Sequence, residues 1–237
     1  MAVFMYSITF KDHPLRIEGL DGLGAAPSPL RTVTAGTLCA VVSDAPQDLL
    51  PEQRDIGAYQ EVQQRLTADG TVLPLRFGRT AADDEAVRLV LEECADEFAD
   101  RLRRLEGCAE YRLKASQDEE MVLREILAGS EPARRLDQEV RDGTADPEAA
   151  LRLGELVARE VRARQEALAS GVIEALRPFA REVDTGRPGG KDFLSVSLLV
   201  HEEQDELFLA TELSLAHQMG EGFDFRLEGP LPPYSFR

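Results

Sequence analysis

Thr71-Val-Leu-Pro-Leu-Arg-Phe77, with the stretch that follows it to Ala115, decides the class of fold. Its β-branched and apolar residues read as a strand interrupted by Pro74. Val87, Val90, Leu91, Cys94, Phe98, Leu102 and Leu105 then recur at three- and four-residue steps, which predicts one helix with a continuous apolar face. Thr80 or Asp83 can cap its start, where Asp83-Asp84-Glu85 suits the positive end of the helix dipole. Gly107 stops it, and Glu110 to Ala115 alternates as a strand with Tyr111, Leu113 and Ala115 on one face. A strand, a helix and a second strand within a short span point to mixed secondary structure.

The same alternation extends outward. Val3 to Phe10 reads as a first strand, residues 19–30 as a turn-rich loop, and Arg31 to Val42 as two short strands joined at Gly36. Asp48 to Ala68 is helical in character and closes at Asp69-Gly70. From Asp118 to Val183 the pattern is helical, with breaks near Gly129-Ser-Glu-Pro132 and Asp142-Gly-Thr144. Asp146-Pro-Glu148 starts the longest segment, whose stripe is Leu153, Leu156, Val157, Val161, Leu168 and Val172. Residues 184–190 form a connector, Phe193 to Val200 a strand, Glu203 to Met219 a helix and Phe223 to Leu227 a last strand. The expected architecture is α+β, with helices on one face of small antiparallel sheets. It divides into residues 1–107, residues 108–228 with a long helical segment over about 118–183, and a tail, 229–237. A ferredoxin-like, split-βαβ unit fits each half. No internal repeat is readable.

Composition narrows the function classes. The 237 residues carry 44 acidic and 27 basic side chains, a formal net charge of −17, with 43% hydrophobic residues. That describes a folded globular chain and makes nucleic acid and anionic membrane poor partners. No apolar run approaches the roughly 20 residues of a membrane span, and the N-terminus carries no secretory pattern. Cys39, Cys94 and Cys108 lack metal-ligand or redox spacing, as expected of reduced cytosolic thiols. The sequence places the protein in the cytoplasm.

Motifs for catalysis are weak. Gly186-Arg-Pro-Gly-Gly-Lys191-Asp192 has the wrong spacing for a phosphate loop and puts Asp192 where Ser or Thr is needed. Gly19 to Gly24 runs G-x-x-G-x-G rather than the dinucleotide order. His13, His201 and His217 are scattered, and the adjacent glutamate pairs point in different directions along their helices. The reading is of a non-enzyme without cofactor or metal, the alternative being a ligand-binding or enzymatic ferredoxin-like module.

Two segments are more distinctive. Arg76-Phe77-Gly78-Arg79 places two cations beside a permissive glycine; the arginines either pair with Asp83, Asp84 or Glu85 or contact an anion or partner. The tail, Gly229-Pro-Leu-Pro-Pro-Tyr-Ser-Phe236, is stiffened by Pro230, Pro232 and Pro233 and carries Tyr234 and Phe236 as apolar anchors. It either closes the protein's own fold or engages a partner. Leu73-Pro-Leu-Arg-Phe-Gly78 and this tail together resemble the gas vesicle protein F and L family (GvpF/GvpL) over essentially the whole chain. Leu231 stands where members of that family often carry tryptophan. The resemblance implies an accessory protein of gas vesicle assembly, in the cytoplasm or as a minor vesicle component. Its expected partners are the small hydrophobic shell protein and other accessory proteins. Arg76, Phe77, Gly78, Arg79, Pro232, Pro233, Tyr234 and Phe236 are the candidate partner-binding or fold-closing residues.

Overall fold

The computed structural model describes residues 1–24, 26–45, 52–142 and 148–237. The chain divides into two compact units. The first comprises Met1–Tyr111, Leu199–Glu203 and Gly229–Arg237, and the second Arg112–Leu198 and Gln204–Glu228.

In the first unit Val3–Phe10 (β1), Arg31–Ala35 (β2) and Leu38–Asp44 (β3) precede the helix Gln53–Asp69 (α1). Two short strands, Leu73–Pro74 (β4) and Thr80–Ala81 (β5), lead into helices Asp84–Glu93 (α2) and Ala95–Leu105 (α3). The sheet order is β2-β3-β1-β4, with β5 also on β1. Gly36, at φ 57°, makes the β2–β3 turn where the sequence places it.

β1 is apolar on both faces, and both faces are covered. Val3 and Met5 join a core with Val87, Leu91, Leu102 and Leu105 from α2 and α3. Phe4 and Tyr6 join a second core with Tyr59, Val62 and Leu66 from α1. Met5 pairs with Val42 and Ser7 with Val41, so Tyr6 is the extra residue of a bulge. The bulge switches parity, which returns Ile8 to the face of Val3. Helices therefore flank this sheet on both sides, unlike the one-sided arrangement expected. Ser7 and Gln63 are matched inside: Ser7 Oγ donates to Gln63 Oε1 at 2.7 Å, and Gln63 Nε2 donates to the Tyr6 carbonyl at 2.8 Å, whereas the buried Thr9 hydroxyl has no partner among the described residues.

Two expectations need correcting here. The single helix ending at Gly107 is two helices, broken at Cys94, whose backbone leaves helical geometry at φ −107° and ψ 19°. The apolar stripe runs on across the break, so periodicity carries no sign of it. The strand expected over Thr71–Phe77 is reduced to Leu73–Pro74. Asp83 caps α2 as anticipated, accepting from the Ala86 N–H at 2.9 Å. The predicted start of α1 at Asp48 lies outside the described residues. From Glu52 onward the helix is anchored by Asp55, which accepts from the Glu52 N–H at 3.0 Å and the Gly24 N–H at 2.9 Å. Those donors hold the Asp55 carboxyl below the usual carboxylate range.

The other elements are strand Cys108–Gln117 (β6), helices Glu119–Gly129 (α4), Glu131–Arg141 (α5) and Ala149–Leu176 (α6), and strands Ala180–Thr185 (β7) and Asp192–His201 (β8). Helix Asp205–Met219 (α7) and strand Phe223–Leu231 (β9) follow. Asp118 and Ser130 cap α4 and α5 through the Met121 and Ala133 N–H groups. Val122, Ile126 and Ala133 form a core with the predicted stripe residues Leu153, Leu156, Val157 and Val161 of α6. The expected start at Asp146-Pro147 lies outside the described residues. The expected helical run to Val183 ends instead at Leu176. Pro178, which has no N–H for the helical ladder, sits in a 3-10 turn before β7. The last strand runs past Leu227 and through Pro230, which is tolerated because β9 is at the sheet edge.

This second sheet has the order β7-β8-β6-β9. In both sheets the order is therefore second, third, first and fourth strand, a recurrence not visible in the sequence. The α+β class holds, with two antiparallel sheets. The strand order is compatible with a ferredoxin-like unit, but that unit is not established for each half, and in the first half residues 11–30 join β1 to β2 where a split-βαβ unit carries a helix.

Candidate functional site

The two distinctive segments both belong to the first unit, and both rest on its aromatic core. Phe77 sits 5.5 Å from the ring of Phe4 and 5.5 Å from that of Tyr59. Tyr59 stacks on Tyr6 at 6.2 Å, and Phe4 meets Tyr6 edge-on at 4.9 Å. Tyr234, from the tail, packs against this same cluster. Phe236 enters the other core of the unit, beside Leu102, Leu105 and Leu199, and is 5% exposed. Pro232 and Pro233 are buried as well.

The Arg-Phe-Gly-Arg segment is a turn. The Arg79 N–H donates to the Arg76 carbonyl at 3.1 Å, and Gly78 takes the third position at φ 89°, where a side chain would be strained. The Arg79 carbonyl in turn accepts from the Met5 N–H at 2.9 Å, tying the turn to β1. Arg76, Gly78 and Arg79 are exposed while Phe77 is half-buried. The acidic partners weighed for the two arginines are used elsewhere. Asp83 caps α2, Asp84 pairs with Arg31 at 2.8 Å, and Glu85 pairs with Arg88. Among the described residues neither Arg76 nor Arg79 makes an ion pair.

The tail is fixed by residues that the sequence did not single out. Glu110, fully buried on β6, accepts from the Ser235 N–H through Oε2 and from the Ser235 hydroxyl through Oε1, both at 2.7 Å. Arg104 Nη2 donates to the Phe236 carbonyl at 3.2 Å. At Gly229, a Cβ would lie 2.4 Å from the ring of the buried Tyr111. The available signal was Glu110 itself, a carboxylate at the start of a strand that alternates Tyr111, Leu113 and Ala115 with Arg112 and Lys114.

Tyr59 donates its hydroxyl to the Leu75 carbonyl, joining α1 to the strand that leads into the turn. Burial pushes this hydroxyl from 10.0 up to about 12, and the Arg237 guanidinium and Gln63 offset only part of the rise. Burial also raises Tyr6, against smaller opposing effects from Ser43 and Leu23. Both groups stay protonated in the fold. The Tyr59 contribution is complete below the unfolded value of 10.0 and is lost as the pH rises through about 12. Urea unfolding across that window should show a decline of about 2–3 kcal/mol, and Tyr59→Phe should flatten it. An equally steep decline in Tyr59→Phe would rule this origin out.

A separate open cavity of about 450 Å³ lies in the second unit, lined by Asp118, Glu120, Lys191, Glu221 and Asp224 among others. Asp118 is engaged as the α4 cap, and Asp224 faces Arg226 at 3.4 Å. Among the described residues, no group of three or more His, Cys, Asp or Glu side chains is placed to hold a metal ion, and no helix is long and apolar enough to cross a membrane.

Fold and site together define a two-unit α+β protein whose signature segments are built on the aromatic core of its first unit. The chain belongs to the gas vesicle synthesis protein GvpL/GvpF family, whose model matches residues 2–237. Gas vesicle protein F of Streptomyces sp. (strain CB03234) is 39% identical over 237 residues, covering 100% of this chain and 99% of that protein. Gas vesicle protein L1 of Halobacterium salinarum is 28% identical, over 95% of this chain and 81% of its own length. The crystal structure of GvpF from Anabaena sp. PCC7120 superposes with a TM-score of 0.83 at 22% identity, covering 99% of this chain and 97% of that one. GvpF from Microcystis aeruginosa gives 0.79 at 20% identity, covering 99% and 98%. Family membership carries a role in gas vesicle assembly.

Proposed function

We propose that the protein is a non-enzymatic accessory factor that binds the hydrophobic shell protein and other accessory proteins while gas vesicles are built, in the cytoplasm or on the vesicle. Membership of the family over its full matched length is the observation that carries this reading. The charge supports it: a body at −17 keeps a complex with a sticky subunit dispersed by repulsion. In this reading Pro232, Pro233, Tyr234 and Phe236 close the fold of the first unit. Arg76 and Arg79, held outward by Phe77 and Gly78, meet carboxylates of a partner.

Co-expression with the shell protein, followed by affinity purification of the full chain, tests the proposal. The shell protein should be retained at micromolar concentration, and Arg76→Glu with Arg79→Glu should reduce recovery of at least one family partner by about tenfold. Failure to retain any gas vesicle protein, in any order of addition, would sink the assembly reading.

A further inference from the structure

Helix α7 buries the wrong side chain and exposes the wrong ones. Phe208 and Glu212, four residues apart, share its inward stripe, and Glu212 is only 9% exposed. Leu209 and Leu213, also four apart, lie outward at 39% and 64% exposure, with Leu207 at 57% on the far flank. Ala210 is exposed beside them. Among the described residues Glu212 makes no hydrogen bond or ion pair, and burial alone raises its carboxyl above the usual range. An ordinary surface helix would turn the leucines in and the glutamate out. Exposing three leucines while desolvating a carboxylate is unfavourable on both counts. Covering the outward face would remove the cost of the exposed leucines.

The charge along the chain on either side of α7 points to what covers it. No lysine or arginine occurs between Lys191 and Arg226. The same stretch carries Glu203, Asp205 and Glu206 at the start of α7 and Glu221 and Asp224 after it. An apolar row bordered by one sign of charge fits an apolar row bordered by the other. We propose that the outward face of α7, centred on Leu209 and Leu213, docks an amphipathic helix of a partner protein whose leucine-like stripe is flanked by lysine or arginine. A second copy of this chain is disfavoured because it would bring acidic borders together. The inference rests on the assembly reading only for the identity of the partner; it adds the surface and the partner's chemistry.

The probe is a fluorescent peptide of about 18 residues, all Leu and Lys, with leucines at helical spacing. The full-length protein should bind it, and Leu209→Gln with Leu213→Gln should weaken binding by about tenfold or more. Both positions are exposed, so the double variant should melt within about 2 °C of the parent. Leu151→Gln, at an exposed leucine of α6, should change binding by less than about twofold.

A peptide of the same composition with scrambled leucines should bind far more weakly; equal binding would overturn the proposal, as would equal binding by the double variant. Neutral phosphatidylcholine vesicles that capture the protein through the same leucines would overturn it in favour of a lipid surface. A dimer in sedimentation that the double variant abolishes would overturn it in favour of self-association. If the double variant still retains the shell protein and all other gas vesicle proteins, the α7 inference fails and the assembly reading stands. If the peptide binds α7 but no gas vesicle protein is retained, the reverse holds.

Discussion

Removal of residues 229–237 is expected to unfold the first unit at temperatures where the intact protein is stable. The deletion takes Phe236 out of a core it shares with Leu102, Leu105 and Leu199, and strips Tyr234 from the aromatic cluster. Loss of one buried phenylalanine alone costs about 3–5 kcal/mol. The deletion also removes both Ser235 donors from Glu110 and the carbonyl that Arg104 holds. A total near or above 5 kcal/mol is a large part of the stability of a typical domain. Near-ultraviolet melting should fall by about 10 °C or more, with amide protection lost first in β1 and β3. An unchanged melting temperature together with lost partner binding would show that the tail is an arm for partners.

Glu110→Ala should have the next largest effect. It removes both acceptors of the Ser235 N–H and hydroxyl and leaves a void at a fully buried position, at about 2–4 kcal/mol. Glu110→Gln can keep its oxygen on the Ser235 N–H and donate its amide to the Ser235 hydroxyl, so only the charge assistance is lost and a smaller loss of about 1–2 kcal/mol is expected. Ser235→Ala removes the hydroxyl bond alone. Because the two residues act on one another, the losses in Glu110→Gln and Ser235→Ala should not add in the double variant. Urea unfolding of the four proteins measures this directly. A Glu110→Ala protein within about 0.5 kcal/mol of the parent would remove Glu110 from the account.

What could be read from the sequence was local. β1, the hairpin at Gly36, the Asp83 cap and the stop at Gly107 each announce themselves within a few residues. β7 was missed because Ala180-Arg-Glu-Val carries good helix formers behind a long helix, although Pro178 was the available warning. The break at Cys94 has no signal, since both helices present one unbroken apolar stripe to the core. The site divides in the same way. The Arg-Phe-Gly turn and the prolines of the tail were visible as odd local chemistry. Glu110, Ser235 and Arg104 were not, because their partners lie more than a hundred residues away and only folding brings them together. α7 was read as a helix, but its inverted face needed burial to become apparent.

The bond between Glu110 and Ser235 spans 125 residues, and that separation sets a clock on synthesis. A ribosome emits Glu110 with the strands and helices before it, then needs on the order of 10 s to deliver Ser235 and Phe236. Through that interval the nascent first unit lacks first Leu199 and then Phe236, both of which its core requires. Whatever meets the chain then, whether a general chaperone or a gas vesicle protein translated nearby, meets an unfinished apolar cleft. Arrival of Phe236 closes that window, so the order of translation governs when this surface is open.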